Sequence, residues 1–338
     1  MSRLRAVRDW VVAADDRTGA FEVAALFAAV AGPTMVTVGQ PAAGSCVVDL
    51  ATRALSAEDA AARAAALEAT PSRWTAHKMD STLRGQWAAE LRARQAAGGR
   101  RIVVLPAWPA LGRTCVGGVV HVHGTPVGNV VDQLHDADLV RDAAELRAWL
   151  AGGGRSVVCD IPDDGALVAA AAVLADADAD VLVAGPAGPL GAVFAARAGD
   201  LRSTTMPSIE QPVLVVRGSA NKVSIEQVAR LQASGVAVAV VAAPEVADGA
   251  DLDVAVAEAL ADEARVVAES LQPRTVVLIG GDTAAAYLGD APRLVGGTVA
   301  PGMPFSVDAD GRGPVVITKA GGFGATDALV ELFSPRAG

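Results

Sequence analysis

Carboxylates able to do acid–base chemistry stand side by side near the start of this 338-residue chain. Asp15 and Asp16 follow a Val-rich run and precede Thr18 and Gly19. Paired carboxylates can move protons or help to hold a metal ion. The alternative is that Asp16 or Thr18 only caps a following helix, since both residue types are preferred at N-caps. Either interpretation puts the pair at a junction between a strand and a helix.

A denser polar loop begins at Lys78 and reads Lys-Met-Asp-Ser-Thr-Leu-Arg-Gly. Lys78 offers a compact positive charge, and Arg84 offers a planar fork that matches carboxylate or phosphate. Asp80 could accept a proton from a hydroxyl group. Ser81 and Thr82 add hydroxyl donors. A helix cap with a solvated ion pair is the alternative, but it does not require so many donors in one loop. The loop therefore predicts a binding or catalytic site.

Three glycine-containing loops in the second half of the chain suit a nucleotide phosphate. Glycine lets the backbone approach a ligand, and the amides at a helix start point toward negative charge. The candidate residues in these loops are Ser219, Gly280, Gly281, Asp282, Thr283, Lys319, Gly321 and Gly322. Neither the three-glycine dinucleotide motif nor the Walker A motif is present, so we expect a site of neither type.

Lysine is rare in this chain, which has only Lys78, Lys222 and Lys319 among its 28 basic residues. Each lies in a polar loop, where a retained lysine suggests a specific need for a compact charge that holds an anion. For Lys222 the alternative is a solvated residue at the start of a helix. Arg113, in a proline-rich loop, could hold a substrate carboxylate; otherwise it lies on the surface.

Metal-binding patterns are sparse. His121 and His123 alternate on a predicted strand and would share one face, but no third ligand lies at a spacing typical of zinc. The three cysteines are odd in number and widely spaced, which argues against a disulfide framework and a cysteine-based zinc site. We therefore expect no metal site built by the protein alone.

The charge balance opposes a polyanionic partner. The formal net charge is −10 and the isoelectric point is about 4.9, whereas nucleic-acid binding relies on excess Lys and Arg. Apolar runs are well below the roughly 20 residues that span a bilayer, and residues 1–10 do not resemble a signal peptide. We expect a cytoplasmic protein with no nucleic-acid or membrane partner. The sequence carries no signal for an oligomeric state.

Short Val-rich runs alternate with Ala-rich helical stretches, the pattern of βαβ units around buried parallel sheets. The predicted strands cover residues 9–14, 34–38, 46–49, 74–78, 101–106, 156–160, 180–184, 213–217, 236–241, 275–279 and 314–318. The length exceeds that of one typical core, and residues 201–212 contain two prolines and no period. We predict an α/β protein with two domains of largely parallel sheets, residues 1–205 and 206–338. Ligands bind outside the carboxyl ends of such strands, where the polar loops lie.

In their order along the chain, these loops resemble the motifs of the four-carbon acid sugar kinase family, which phosphorylates threonate, erythronate or their 3-oxo forms with ATP. The stretches that carry the resemblance cover residues 14–20, 78–85, 106–114, 180–196, 218–227, 280–283, 301–304 and 319–324. They span nearly the whole chain. The resemblance implies an N-terminal sugar-acid-binding domain and a C-terminal nucleotide-binding domain.

The resemblance also implies roles for individual residues in transferring the ATP γ-phosphoryl group to the terminal hydroxyl of the acid. The catalytic residues would be Asp16, Lys78, Asp80 and Arg84, and the substrate-binding residues would be Asp15, Ser81, Thr82 and Arg113. The ATP-binding residues would be Ser219, Gly280, Gly281, Asp282, Thr283, Lys319, Gly321 and Gly322. Mg²⁺ would bridge the phosphates near Asp282, and Asp16 or Asp80 would be the base.

Arg17 departs from the family pattern, which commonly has leucine there, and beside the acid site it would alter the size or charge of the substrate. Three alternatives to this activity remain. The chain could be a kinase for another small sugar acid or polyol, or a non-catalytic protein that binds the nucleotide and the acid. An oxidoreductase is disfavoured because the dinucleotide motif is absent.

Overall fold

The computed structural model describes residues 10–69, 72–177, 179–199, 206–244 and 253–334. They form a mixed α/β fold with mostly parallel strands, as the sequence predicts. The chain divides into two compact units, residues 1–202 and 203–338. The predicted domain boundary, between positions 205 and 206, adjoins residues 200–205, which lie outside the described residues.

The first unit alternates strands and helices along most of its length. Its strands are β1 (Trp10–Ala14), β2 (Thr34–Val38), β3 (Cys46–Asp49), β4 (Trp74–Lys78), β5 (Arg101–Val104), β6 (Arg113–Val116), β7 (Val119–Val122), β8 (Thr125–Asn129), β9 (Asp138–Val140), β10 (Ser156–Cys159) and β11 (Val181–Gly185). Its helices are α1 (Arg17–Ala31), α2 (Ala57–Ala66), α3 (Trp87–Gly98), α4 (Val130–Leu134), α5 (Ala143–Gly152), α6 (Asp164–Leu174) and α7 (Ala187–Ala198).

A parallel sheet with the strand order β2-β3-β1-β4-β11-β5-β10-β9 forms the centre of this unit. Strands β1, β3 and β4 are buried along their whole length, as expected for parallel strands that are covered on both faces. Strands β6, β7 and β8 form a separate antiparallel sheet. Parallel pairing brings the carboxyl ends of β1, β3 and β4 to one edge.

An aromatic cluster fixes the helices against β1 and β4. Phe27 of α1 and Phe194 of α7 stack with ring centroids 3.8 Å apart, and Trp10 meets both rings edge-on. Trp74 of β4 completes the cluster. Burying a large apolar side chain stabilises a fold by about 1.5–3 kcal/mol. The cluster therefore anchors the strands from which the polar loops emerge.

The second unit has a smaller sheet. Its strands are β12 (Val213–Arg217), β13 (Val238–Ala242), β14 (Thr275–Ile279), β15 (Arg293–Ala300), β16 (Met303–Asp308) and β17 (Val315–Lys319). Its helices are α8 (Lys222–Ala233), α9 (Val254–Leu271), α10 (Gly281–Leu288) and α11 (Ala328–Phe333). The strand order is β13-β12-β14-β17-β16-β15, in which the first four are parallel and β15 and β16 are antiparallel.

The predicted histidine pair does not share a strand face. His121 lies in β7, but β7 ends at Val122, and His123 follows in a turn with a φ of 48°. No group of three or more His, Cys, Asp or Glu residues that could hold a metal ion occurs in the part of the chain that the structure describes. In that same part, no helix is long and apolar enough to cross a membrane.

Candidate functional site

The polar loops of the first unit start side by side. Ala14, the last residue of β1, pairs in register with Asp49 of β3 and with Lys78 of β4. The loops that follow these three strands therefore leave the sheet at one edge, as expected for a parallel sheet. The two loops predicted from the sequence, after β1 and after β4, are brought together in this way.

Arg53, in the loop after β3, joins the carboxylates of these loops. Its Nε donates to Asp15 Oδ2 at 2.8 Å, and its Nη1 and Nη2 donate to the two oxygens of Asp16 at 2.9 Å each. Nη2 also lies 3.6 Å from Asp80 Oδ1. Burial lowers the pKa of Arg53, but the three carboxylates together raise it well above its usual value. The guanidinium is therefore permanently charged.

The backbone places this arginine. The amides of Thr52 and Arg53 donate to the carbonyl oxygen of Asp15 at 3.0 and 3.2 Å. Gly85, with a φ of 82°, lies against the same side chain, since a Cβ there would be 3.5 Å from Arg53 Cγ. The three loops thus hold each other through main-chain contacts as well as charges.

Asp80 organises its own loop. Its Oδ2 accepts hydrogen bonds from the amide and hydroxyl of Thr82 at 2.9 and 2.5 Å, and its Oδ1 accepts from Arg84 Nη2 at 2.8 Å. Burial raises the pKa of Asp80, but the hydrogen bonds from Arg84 and Thr82 and the charge of Arg53 outweigh it, and the pKa lies well below its usual range. Arg84 is exposed and Ser81 is half-buried.

Lys78 is buried at the base of the cluster, with 4% of its surface exposed. A Cβ on Gly19 would lie 2.7 Å from Lys78 Nζ and 2.6 Å from Asp16 Oδ1. Glycine at this position therefore lets the start of α1 approach the ammonium group. Asp16 is the N-cap of α1 and accepts a hydrogen bond from the Gly19 amide at 2.9 Å. The interpretation of Asp16 as a helix cap is confirmed, and its role as a site residue stays a prediction.

Two further charged groups face this cluster. Glu22, partly buried on α1, interacts electrostatically with Lys78, Asp16, Arg113 and Asp80. Arg113 begins β6, donates from Nη1 to the Leu111 carbonyl oxygen at 3.0 Å, and has a buried Nε without a hydrogen-bond partner.

The side chain of Arg17 forms a buried ion pair with Asp49. Its Nε donates to Asp49 Oδ2 at 2.8 Å, and 4% of its side chain and 1% of that of Asp49 are exposed. Burial is the largest influence on Asp49 and raises its pKa, although Arg17 opposes this. The charge of Arg17 is thus matched within the protein, at the end of β3.

The three predicted phosphate loops of the second unit also meet at one sheet edge. Arg217, Ile279 and Lys319, the last residues of β12, β14 and β17, pair in register. The amides of Gly218 and Ser219 donate to the Ile279 carbonyl oxygen at 3.1 and 3.2 Å. The loops therefore form one continuous backbone surface.

Two glycines let these loops pack closely. A Cβ on Gly321 would collide with Ser219 Oγ, and Gly280, with a φ of 116°, lies where a Cβ would be 3.5 Å from the Ser219 amide nitrogen. Gly280 is also the N-cap of α10 and supplies no capping side chain. The N-terminus of α10 therefore has no side-chain cap from Gly280, and helix starts of this kind are a common place for anions to bind.

The ammonium group of Lys319 forms hydrogen bonds within the loop that follows β17. Its Nζ donates to the carbonyl oxygens of Ala320 and Gly321 at 3.0 and 2.8 Å and lies 3.5 Å from Ser224 Oγ. The residue is 1% exposed, and burial lowers its pKa to about 8. Gln227 Nε2 holds the same loop through the carbonyl oxygens of Phe323 and Ala325.

The sequence did not single out Arg53 or Glu22. Arg53 lies in an ordinary-looking loop 37 positions from Asp16, so only the fold brings the two together. Glu22 carried a usable signal: it is the one acidic residue within α1, three positions after Gly19 and therefore on the same helix face.

Comparisons with known proteins relate this arrangement to sugar-acid kinases. A family model described as a sugar-binding N-terminal domain matches residues 10–135. A D-threonate kinase from Bordetella bronchiseptica is 30% identical, and the alignment covers 95% of each chain. A D-threonate kinase from Cupriavidus necator is 33% identical over 66% of this chain, which spans 63% of that protein. A 3-oxo-tetronate kinase from Methylobacterium radiotolerans is 26% identical over 93% of this chain and 96% of that protein.

Solved structures share the fold. A Bordetella bronchiseptica protein of the DUF1537 family, solved as a domain-swapped dimer with bound citrate, is 27% identical with a TM-score of 0.51, and 96% of each chain is covered. A Haemophilus influenzae protein of that family is 20% identical with a TM-score of 0.71, over 95% of this chain and 98% of the other. The latter likeness concerns the fold alone.

Proposed function

We infer the function of this chain from its family, because the chain belongs to the four-carbon acid sugar kinases. We propose that it is an ATP-dependent phosphotransferase that phosphorylates threonate, erythronate or a 3-oxo-tetronate. The acceptor is the terminal alcohol group of the acid. A cytoplasmic location, where ATP is supplied, is part of the proposal.

The observation that carries the proposal is the convergence of cations and carboxylates at the ends of β1, β3 and β4. Arg53 and Arg84 present guanidinium groups and Lys78 presents an ammonium group in one cluster. Guanidinium groups match carboxylates geometrically. In our proposal these cations bind the carboxylate of the acid or the transferring phosphoryl group, while Asp15, Asp16 and Asp80 hold the arginines in place.

Ser81, Thr82 and Arg113 belong to the same proposed acid site. The two hydroxyl residues follow Asp80 in its loop, and the Arg113 guanidinium is close enough to Glu22 to lower the pKa of that carboxyl group. Hydroxyl and guanidinium donors suit the hydroxyl and carboxylate oxygens of a sugar acid. The first unit is then the sugar-acid-binding domain.

The nucleotide belongs to the second unit in our proposal. Ser219, Gly280, Gly281 and Thr283 would place backbone amides around the ATP phosphates, and Gly321 and Gly322 would line the same surface. Oriented amides at a helix start are a general way to bind phosphate. Lys319 shapes this surface by holding the carbonyl oxygens of its own loop.

The residues present fit magnesium that arrives with the nucleotide. Mg²⁺ is usually bound by one or two carboxylates together with substrate phosphates and water, and Asp282 is exposed in the first turn of α10. Asp282 would hold the ion at the phosphates. The chemistry that Mg²⁺ supplies there is neutralisation of the charge that develops on the transferred group.

A panel of acceptors tests the function. The full chain is incubated with ATP and Mg²⁺ and with D-threonate, L-threonate, D-erythronate or their 3-oxo derivatives, and ADP release is measured. The uncharged tetritol of matching length is the control acceptor, since it lacks only the carboxylate. We expect at least one acid to have a kcat/KM about 100-fold or more above that of the tetritol, because the tetritol lacks the carboxylate that the cations would bind. No release with any acid would contradict the proposal.

A further inference from the structure

We propose that Glu22 is the general base that removes the proton from the hydroxyl group of the acid. This inference rests on the proposed kinase function and replaces Asp16 and Asp80, which the sequence suggests for the role. It assigns the base to a residue outside the two motif loops.

The hydrogen bonds of the other carboxylates leave them poorly suited to this step. Asp16 accepts two hydrogen bonds from Arg53 and a third from the Gly19 amide. Asp80 is held by Arg84 and Thr82, and its pKa is strongly lowered, so it is a weak base. Asp15 is 1% exposed. A base needs a free oxygen that a substrate hydroxyl can reach.

Glu22 differs from these residues in its geometry. It is partly accessible, and no residue in the described part of the chain donates a hydrogen bond to it. It lies three positions after Gly19 and hence on the face of α1 that approaches Lys78 Nζ. Its carboxylate is therefore directed toward the same cluster that would bind the acid, with both oxygens available.

The charges around Glu22 tune it for proton transfer. Burial is the largest influence and raises its pKa, and Asp16 and Asp80 raise it further, while Lys78 and Arg113 oppose the shift. The net effect is a pKa above the ordinary value for glutamate. A base is most effective when its pKa approaches the operating pH, so a raised pKa makes the ionised Glu22 carboxylate a stronger base.

The step balances without another reactant. The hydroxyl proton passes to a Glu22 carboxylate oxygen, and the hydroxyl oxygen forms a bond to the γ-phosphorus of ATP. The bond from that phosphorus to the β,γ-bridging oxygen breaks, and ADP leaves with the electron pair. Glu22 then releases the proton to solvent.

The test compares Glu22→Gln with Glu58→Gln, a matched control because Glu58 is exposed on α2. We expect Glu22→Gln to lower kcat by about 10²–10⁴-fold while the Kd for the acid changes by no more than about threefold. Glu22→Asp, which keeps a carboxylate, should recover part of the rate. Glu58→Gln should match the wild type.

The pH profile gives a second readout. A base must be ionised, so wild-type kcat/KM should be full above the pKa of Glu22 and fall as the pH drops through it. That acidic limb should disappear in Glu22→Gln. A kcat within about threefold of the wild type, or an unchanged acidic limb, would overturn the assignment. Absence of turnover by the wild type would instead refute the kinase function itself.

Discussion

At the scale of single residues, Arg53 joins the carboxylates of the loops after β1 and β4 into one charged cluster. Asp15, Asp16 and Asp80 are recognisable in the sequence because each lies in a polar stretch after a predicted strand. Arg53 is not, because it is one arginine among many and lies in no motif. Its role depends on the parallel register of β1, β3 and β4, which is a property of the sheet.

Arg53→Met should destabilise the first unit and abolish acid binding. The substitution leaves the buried Asp15 carboxylate and the Asp16 carboxylate without their cation, which costs about 1–3 kcal/mol or more for charged groups. We expect a lower free energy of unfolding by denaturant, with Arg147→Met unchanged because Arg147 is exposed on α5.

This destabilisation should depend on pH. Burial raises the pKa of Asp16 and the charge of Arg53 opposes this rise, so the contribution of Arg53 to stability is present when Asp16 is ionised and is lost as acid protonates the carboxyl group. The difference in free energy of unfolding between wild type and Arg53→Met should therefore narrow as the pH falls from neutrality. A difference that stays constant with pH would show that Arg53 acts by packing alone.

At the scale of elements, the buried parallel strands were the most predictable part of the fold. Strands β2, β3, β4, β12 and β14 begin and end where the sequence predicts, and in β3, β12 and β14 the reason is a run of apolar, valine-containing sequence. Strands β15 and β16 were not predicted, since paired glycines interrupt one and a proline lies in the other. The hairpins formed by β6, β7 and β8 were not predicted, because glycine turns interrupt the short strands.

In the loop after β17, the residue types alone do not predict what the Lys319 side chain binds. The sequence suggests that Lys319 holds an anion directly, yet its ammonium group donates to two carbonyl oxygens of the loop. Those contacts depend on the path of the backbone around Gly321, which the sequence does not specify. The structure thus favours a role for Lys319 in shaping the proposed phosphate surface.

Lys319→Met should weaken ATP binding selectively. Hydrogen bonds from a charged donor contribute about 1.5–3 kcal/mol each, and 1.4 kcal/mol corresponds to a tenfold change in affinity. We expect the KM for ATP to rise about tenfold or more, with the KM for the acid unchanged. Arg230→Met, at an exposed position in the last turn of α8, is the matched control. Equal effects of the two substitutions on ATP would contradict this role.

The pH dependence of the free energy of unfolding, compared between the wild type and Lys319→Met, tests whether the ammonium group of Lys319 is buried. The folded protein releases the Lys319 proton at a pKa of about 8, against 10.5 for an unburied lysine. Between these two pKa values the unfolded state binds more protons than the folded state. The free energy of unfolding of the wild type therefore increases as the pH rises. Relative to Lys319→Met, the wild type should become more stable from pH 8 to 10.5. A constant difference would place the ammonium group in solvent.

At the scale of the whole molecule, each compact unit has polar loops at the carboxyl ends of its parallel strands. The assignment of residues 1–205 and 206–338 to two domains stays a prediction, made from the chain length and from the aperiodic, proline-containing residues 201–212. In the proposed function, the loops of the first unit bind the sugar acid and the loops of the second unit bind ATP. The central claim of the proposed function is that a phosphoryl group passes from ATP to the sugar acid.

Phosphorus NMR of the reaction mixture tests that claim most directly. The full chain is mixed with ATP, Mg²⁺ and the acid that supports ADP release, and the products are followed over time. We expect a new phosphomonoester signal, coupled to the protons of the terminal carbon, that grows in equal amounts with ADP. Formation of ADP with inorganic phosphate and no phosphomonoester would show hydrolysis instead of transfer and would contradict the proposed kinase function.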